Sequence, residues 1–145
     1  MPEDPFDLPR FVDAQDAGGT YRQALAELER GRKSSHWMWF VFPQLAGLGQ
    51  SAMSRRYAIA SLDEARAYLA HPVLGARLRE CLAVLARTEG RSAVDVFGSI
   101  DAQKLQSSVT LFLRAAPDEE DLQRVLDRYF GGRPDQGTDR LLDRA

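Results

Sequence analysis

One hundred and forty-five residues is the length of one compact domain, and 44% hydrophobic against 28% charged residues excludes a disordered chain. Nineteen Lys and Arg against 21 Asp and Glu leave a net charge of −2, without the basic surplus that phosphate-backbone binding demands, which argues against a nucleic-acid partner. The single cysteine excludes an internal disulfide framework and any cysteine-rich metal site. The start, Met1-Pro2-Glu3-Asp4-Pro5, lacks the positive charge and apolar stretch of a signal peptide. The longest apolar run, Trp37 to Phe42, falls far short of the ~20 residues that span a bilayer. The expectation is one soluble, cytoplasmic domain over 1–145.

Taken in chain order, the sequence is punctuated by helix signals. Thr20 with Gln23 forms a capping-box pattern ahead of Tyr21, Leu25 and Leu28, and Gly31 stands where that helix should stop. Ser61 with Glu64 repeats the pattern before Leu62, Ala65 and Leu69. His71-Pro72 breaks this helix and opens the next, in which Leu74, Leu78, Cys81, Leu82 and Leu85 recur at helical spacing. That spacing makes Cys81 a small core residue and not a nucleophile. Ser92 and Asp95 open a short turn ending at Gly98, and a helix from about Asp101 to Ala115 carries Leu105, Val109 and Phe112 inward. After Pro117-Asp118, Leu122, Val125, Leu126, Tyr129 and Phe130 form a full amphipathic stripe, closed by Gly131-Gly132. One turn is expected after Thr138. Extended chain is suggested only at Trp37 to Phe42 and Tyr57 to Ile59. The pattern predicts an all-α array of five to seven helices around one core, with at most one short ladder.

Three places can carry chemistry. Lys33-Ser34-Ser35-His36-Trp37-Met38-Trp39-Phe40-Val41-Phe42-Pro43-Gln44 holds four of the 13 aromatics within six residues. Trp39, Phe40 and Phe42 read as core. Trp37 and His36 are less comfortable there, because an indole N–H and an imidazole need partners when buried. Trp37 is therefore a candidate for stacking on a ligand ring, and His36 for a ligand or proton-transfer role. Gly47-x-Gly49 follows, with Ser51 at the start of a helix whose free N–H groups favour an anion. It is neither a Walker loop nor a dinucleotide fingerprint, and its plain reading is a loop. Asp101, Lys104 and Ser108 share a helix face at +3 and +4 spacing, with Ser107 and Thr110 beside it. The ordinary reading of that Asp–Lys pair is a solvated surface pair. Asp135 and Thr138 in the tail can close over this face. Two histidines 35 residues apart offer no metal site, and no GxSxG elbow supports a catalytic triad.

These motifs also carry a resemblance. Lys33-x-x-His36-Trp37-Met38-Trp39 with Phe42-Pro43-Gln44, Gly47-Leu48-Gly49-x-Ser51, Tyr57-Ala58-Ile59 and His71-Pro72-x-Leu74-Gly75-x-Arg77-Leu78 resemble the signature of a bacterial and fungal domain of unknown function, number eighteen-ten of its series. Phe97-Gly98-x-x-Asp101-x-x-Lys104, Ser107-Ser108-x-Thr110-Leu111-Phe112 and Asp135-x-x-Thr138 continue it over about 8–142. Val109 replaces the methionine expected in the Ser-Ser-x-Thr motif, a swap of similar volume. The resemblance implies a compact helical domain and no reaction. The calpastatin label often given to such proteins does not suit this chain, since that inhibitor is disordered.

The residues point to a pocket for a small anionic metabolite, nucleotide-like or ribosyl. Lys33 and Lys104 would hold phosphate, Trp37 would stack, Gln44, Gly47, Gly49, Ser51, Ser108 and Thr110 would line the site, and His36 with Asp101 would exchange a proton in a hydrolytic or transfer step. No cofactor or metal is called for, and a monomer or weak dimer is expected. The competing expectation is a non-enzymatic protein-interaction module, which would show an exposed apolar patch and scattered polar residues.

Overall fold

The computed structural model describes residues 5–144; the first four residues, most of the acidic start, and Ala145 lie outside it. The fold is all-α. Its helices are α1 (Pro9–Asp16), α2 (Thr20–Glu29), α3 (Met38–Val41), α4 (Ala52–Arg56), α5 (Leu62–Ala70), α6 (Leu74–Arg87), α7 (Ala93–Ala115), α8 (Glu120–Phe130) and α9 (Gln136–Arg144). A 3-10 turn, Ala17–Gly19, joins α1 to α2. There are more helical segments than the five to seven expected. Two of them, α3 and α4, are single turns. The α1 helix starts on Pro9, where the missing N–H costs nothing, and α9 starts on the side chain of Asp135. The tail is thus a nine-residue helix and not one turn. Among the described residues, extended chain pairs only at one parallel bridge, Leu45 with Ile59. No helix described is long and apolar enough to cross a membrane.

The long α7 is the axis of the bundle, with α5, α8 and α9 packed around it. Leu105, Val109, Leu111 and Phe112 are buried in the core, and so are Ser107, Ser108 and Thr110 on its other sides. The first of these serines and the threonine satisfy their hydroxyls by donating one turn back, Ser107 to the Gln103 carbonyl (3.1 Å) and Thr110 to that of Gln106 (2.8 Å). Within α7, Gly98 sits at φ 78°, ψ 167°, a conformation open to glycine, so the chain breaks there and restarts at Ser99. The capping box of Ser92 and Asp95 is formed as the sequence predicts.

Elsewhere the caps are formed with small shifts. Thr20 is already inside α2 and donates to the Ala17 carbonyl (2.6 Å), so its expected capping box does not form; the preceding 3-10 turn supplies the partner. Gly31 ends α2 in a left-handed turn, its N–H reaching the Leu28 carbonyl and that of Arg32 the Glu27 carbonyl. Ser61 caps α5, while Glu64 reaches one residue further back, to the Ala60 N–H (2.9 Å). Its other oxygen takes Arg10 at 3.0 Å, and Arg10 also binds the Ala58 carbonyl (2.8 Å), tying α1 to the strip that ends in Ile59. His71 caps α6, its Nδ1 accepting from the Val73 (3.1 Å) and Leu74 (3.2 Å) N–H groups. Gly75 is required there: a Cβ would lie 2.0 Å from the Leu69 carbonyl oxygen.

The five apolar residues of α6 are buried as the spacing predicts. Burial pushes the Cys81 thiol up to about 12, so it is an inert core group. Replacing Leu82, 1% exposed, by Ala is expected to cost about 2–5 kcal/mol through lost burial plus the cavity left. A urea midpoint that scarcely moves would show the opposite.

The aromatic segment is held by two buried polar side chains from the N-terminal helices. Gln15 of α1 donates to the Phe40 carbonyl at 2.7 Å. Glu27 of α2, 0% exposed, accepts from the N–H groups of Ser34 (2.7 Å) and Ser35 (3.0 Å), the Ser35 hydroxyl (2.5 Å) and the Trp37 indole (2.9 Å). Burial works against this carboxylate's charge, but the Ser35, Ser34 and Trp37 donors outweigh it and bring the group down to about 2. A carboxyl lowered in the folded state stabilises it fully above its unfolded value, near 4.5, and that contribution is lost as pH falls through 4.5 towards 2. Glu27→Gln should therefore remove about 2 kcal/mol of the stability lost between pH 7 and pH 3. Urea unfolding at the two pH values measures this, and equal pH losses in parent and variant would refute it.

Candidate functional site

The loop that follows α2 lies against the break in α7. The Lys33 N–H donates to the Val96 carbonyl at 2.7 Å, and its ammonium pairs with Asp101 Oδ2 at 2.8 Å, just past Gly98. The Lys33 side chain is only 7% exposed; its Nζ also donates to the Ser35 carbonyl and lies 5.0 Å from the Trp37 ring centre. Lys104, one turn beyond Asp101, stands 3.6 Å from Asp101 Oδ1 and 5.5 Å from the centre of the Trp39 ring. Two ammonium groups thus share one carboxylate, and Lys104 is the less tightly held.

Around Lys104 three adjoining hollows open. The first, about 370 Å³, is lined by Lys33, His36, Trp39, Phe97, Ile100 and Asp101 as well as Lys104. The second, about 320 Å³, is lined by Gln44, Gly49, Gln103, Ser107 and Asp135. The third is a narrow recess of about 90 Å³ between Trp39, Gln44, Gly47, Gly49 and Tyr57. The loop carrying Gln44 is fixed from behind, because the Ile59 N–H donates to the Gln44 carbonyl (2.9 Å) and the Ala46 N–H to that of Ile59 (2.8 Å). Gly49 passes so close to Ser54 that a Cβ would lie 2.3 Å from the Ser54 Cβ, so glycine is needed to seat the loop there. Together these hollows form one cleft with a cation at its centre.

Lys33, His36, Gln44, Gly47, Gly49, Asp101 and Lys104 therefore come together as the sequence predicts. Four expected residues do not line the cleft. Trp37 is 0% exposed with its indole N–H on Glu27, so it cannot stack on a ligand. Trp39, read as core, is the half-buried ring in the cleft, and His36 stacks beside it with ring centres 6.4 Å apart at 30°. Ser51 is exposed and caps α4, accepting from the Ser54 N–H (3.1 Å). Thr110 is buried and accepts from the Asp135 N–H at 2.8 Å. Ser108 faces the bundle interior, where its hydroxyl has no hydrogen-bond partner. Thr110 is covered by the turn that opens α9 and Ser108 is turned into the core, so α7 meets the cleft along Ile100, Asp101, Gln103, Lys104 and Ser107.

Among the described residues no hydrogen bond joins His36 to Asp101. Both oxygens of Asp101 serve lysines, while the His36 ring lies against Trp39. Glu27, which holds the loop, escapes the motif reading. It carries no local signal, being one of many glutamates on helical faces. Ser107, which the spacing places beside the polar face, lines the second hollow. Asp135 is the tail residue expected to close over the site, and it does line the cleft, whereas Thr138 is buried behind it with its hydroxyl on Asp135 Oδ2 (2.7 Å).

A solved structure has the same architecture. The crystal structure of the conserved hypothetical protein Rv1873 from Mycobacterium tuberculosis superposes with a TM-score of 0.93 at 51% identity, over 97% of this chain and 99% of that one. No curated protein matches the sequence. The family model described as Protein of unknown function (DUF1810) matches residues 5–142, and the chain belongs to that family.

Proposed function

We propose that this chain is a cytoplasmic small-molecule-binding domain whose cleft takes an anionic metabolite bearing a flat ring, with a nucleotide as the class. The observation that carries the reading is the charge arithmetic at the cleft centre. Three cations, Lys33, Lys104 and Arg55, line the cleft against two carboxylates, Asp101 and Asp135, and the distances from Asp101 favour Lys33 (2.8 Å) over Lys104 (3.6 Å). A phosphate supplies the anion that Lys104 is short of, in a recess where screening by water is weaker than at an open surface. The paired His36 and Trp39 rings offer the face on which a base stacks. The reading is one of binding, because Asp101 acts as a counter-ion to the lysines.

An interaction module would call for a contiguous apolar patch. The exposed large hydrophobic residues described are Val94 (57%) and Ile100 (73%), and Ile100 stands at the rim of the first hollow. That pattern favours the small-molecule reading.

A thermal-shift titration with AMP tests it. A ligand at 100 times its Kd stabilises by about 2.7 kcal/mol, so Tm should rise by several degrees. Lys104→Met should abolish the rise while changing ligand-free stability by less than about 1 kcal/mol. Absence of any rise in the parent, or an equal rise in the variant, would overturn the proposal.

A further inference from the structure

The two larger hollows differ in chemistry. The first is walled by the rings of His36, Trp39 and Phe97, whereas the second has no ring: beside Leu48 it offers the hydrogen-bonding groups of Gln44, Gln103, Ser107 and Asp135, and Ile100 borders both. Lys104 stands at their junction. Asp135 in particular is a carboxylate built into place. Its N–H donates to Thr110 Oγ1 (2.8 Å), and its Oδ2 accepts from the Thr138 N–H (2.9 Å) and hydroxyl (2.7 Å). Both threonines are 0% exposed, so the carboxylate is fixed at the wall. The first turn of α9 is itself pressed onto the Gln44 loop, since a Cβ on Gly137 would lie 3.2 Å from Leu48 Cδ2.

A fixed carboxylate repels phosphate and accepts hydrogen bonds from neighbouring hydroxyls, which is how acidic side chains select a ribose diol. Resting on the anion reading above, we propose that the ligand is a nucleotide whose phosphate carries a sugar. The base lies in the first hollow, the phosphate at Lys104, and the sugar's diol on Asp135 in the second.

Calorimetric titration with ADP, ADP-ribose and inorganic pyrophosphate tests this. In the parent, ADP-ribose should bind at least about tenfold more tightly than ADP. Asp135→Asn retains an α9 cap, since asparagine caps as well as aspartate, and should bring ADP-ribose down to the affinity of ADP with ADP unchanged. The comparison of the two ligands on the parent does not depend on the variant's folding. Equal affinities there, or an equal loss of both ligands in Asp135→Asn, would overturn the sugar assignment; ADP binding that disappears in Lys104→Met would then leave the anion reading standing. Failure of both ADP and pyrophosphate to bind would remove the two together.

Discussion

The carboxylate of Glu27 is the constraint on which the cleft depends. It is buried at no small cost, and that cost is offset because four donors from one stretch of chain converge on it. Those donors span Ser34 to Trp37, so the loop after α2 has one conformation and the Trp37 indole is drawn inward. Gln15 holds the Phe40 carbonyl from the other side. With both ends fixed, the single turn of α3 has one way to lie, which buries Trp37 and leaves Trp39 at the cleft. A neutral side chain at position 27 would leave the same donors less well paired, and the loop would lose its reason for this shape.

The second constraint is electrostatic and lies at the break in α7. Gly98 adopts a backbone conformation that side chains resist, and the helix restarts so that Asp101 meets Lys33 from the other side. The backbone bond from Lys33 to Val96 brings the same segments together just before the break. A half-buried ion pair of this kind contributes little net stability, since desolvation cancels much of the attraction. Its effect is on geometry: it occupies Asp101 with Lys33 and leaves Lys104, over Trp39, the more loosely paired of the two lysines.

The C-terminal helix plays the part of a wall. Thr110 and Thr138 are both buried: the Thr110 hydroxyl, which donates to Gln106, accepts from the Asp135 N–H, and the Thr138 hydroxyl donates to the Asp135 carboxylate, so the tail is fastened to the C-terminal half of α7 by polar contacts within the core. Arg114 and Asp139 add a two-pronged pair at 2.9 Å nearer the surface. Because the same helix start covers Thr110 and borders the second hollow, one packing decision both hides part of the polar face and completes the cleft.

Helix punctuation and the apolar stripes were determined locally, and they are legible in the sequence. The Ser92–Asp95 box, the stop at Gly31, the His71-Pro72 break and the stripe through Leu82 depend on residues within one or two turns of each other, so spacing alone reveals them. The gathering of Lys33, His36, Asp101 and Lys104 was also legible, because each stands beside a glycine turn or outside an apolar stripe. Which tryptophan faces the cleft was decided by tertiary structure: the local sequence favours Trp37, but Glu27, ten residues away, draws it inward and leaves Trp39 at the surface of the hollow. The same holds for the hydroxyls of α7. Asp101 to Ser108 reads as one polar face with Thr110 beside it, and only packing divides these residues into an open stretch that lines the cleft and a covered end, Thr110, that holds the tail.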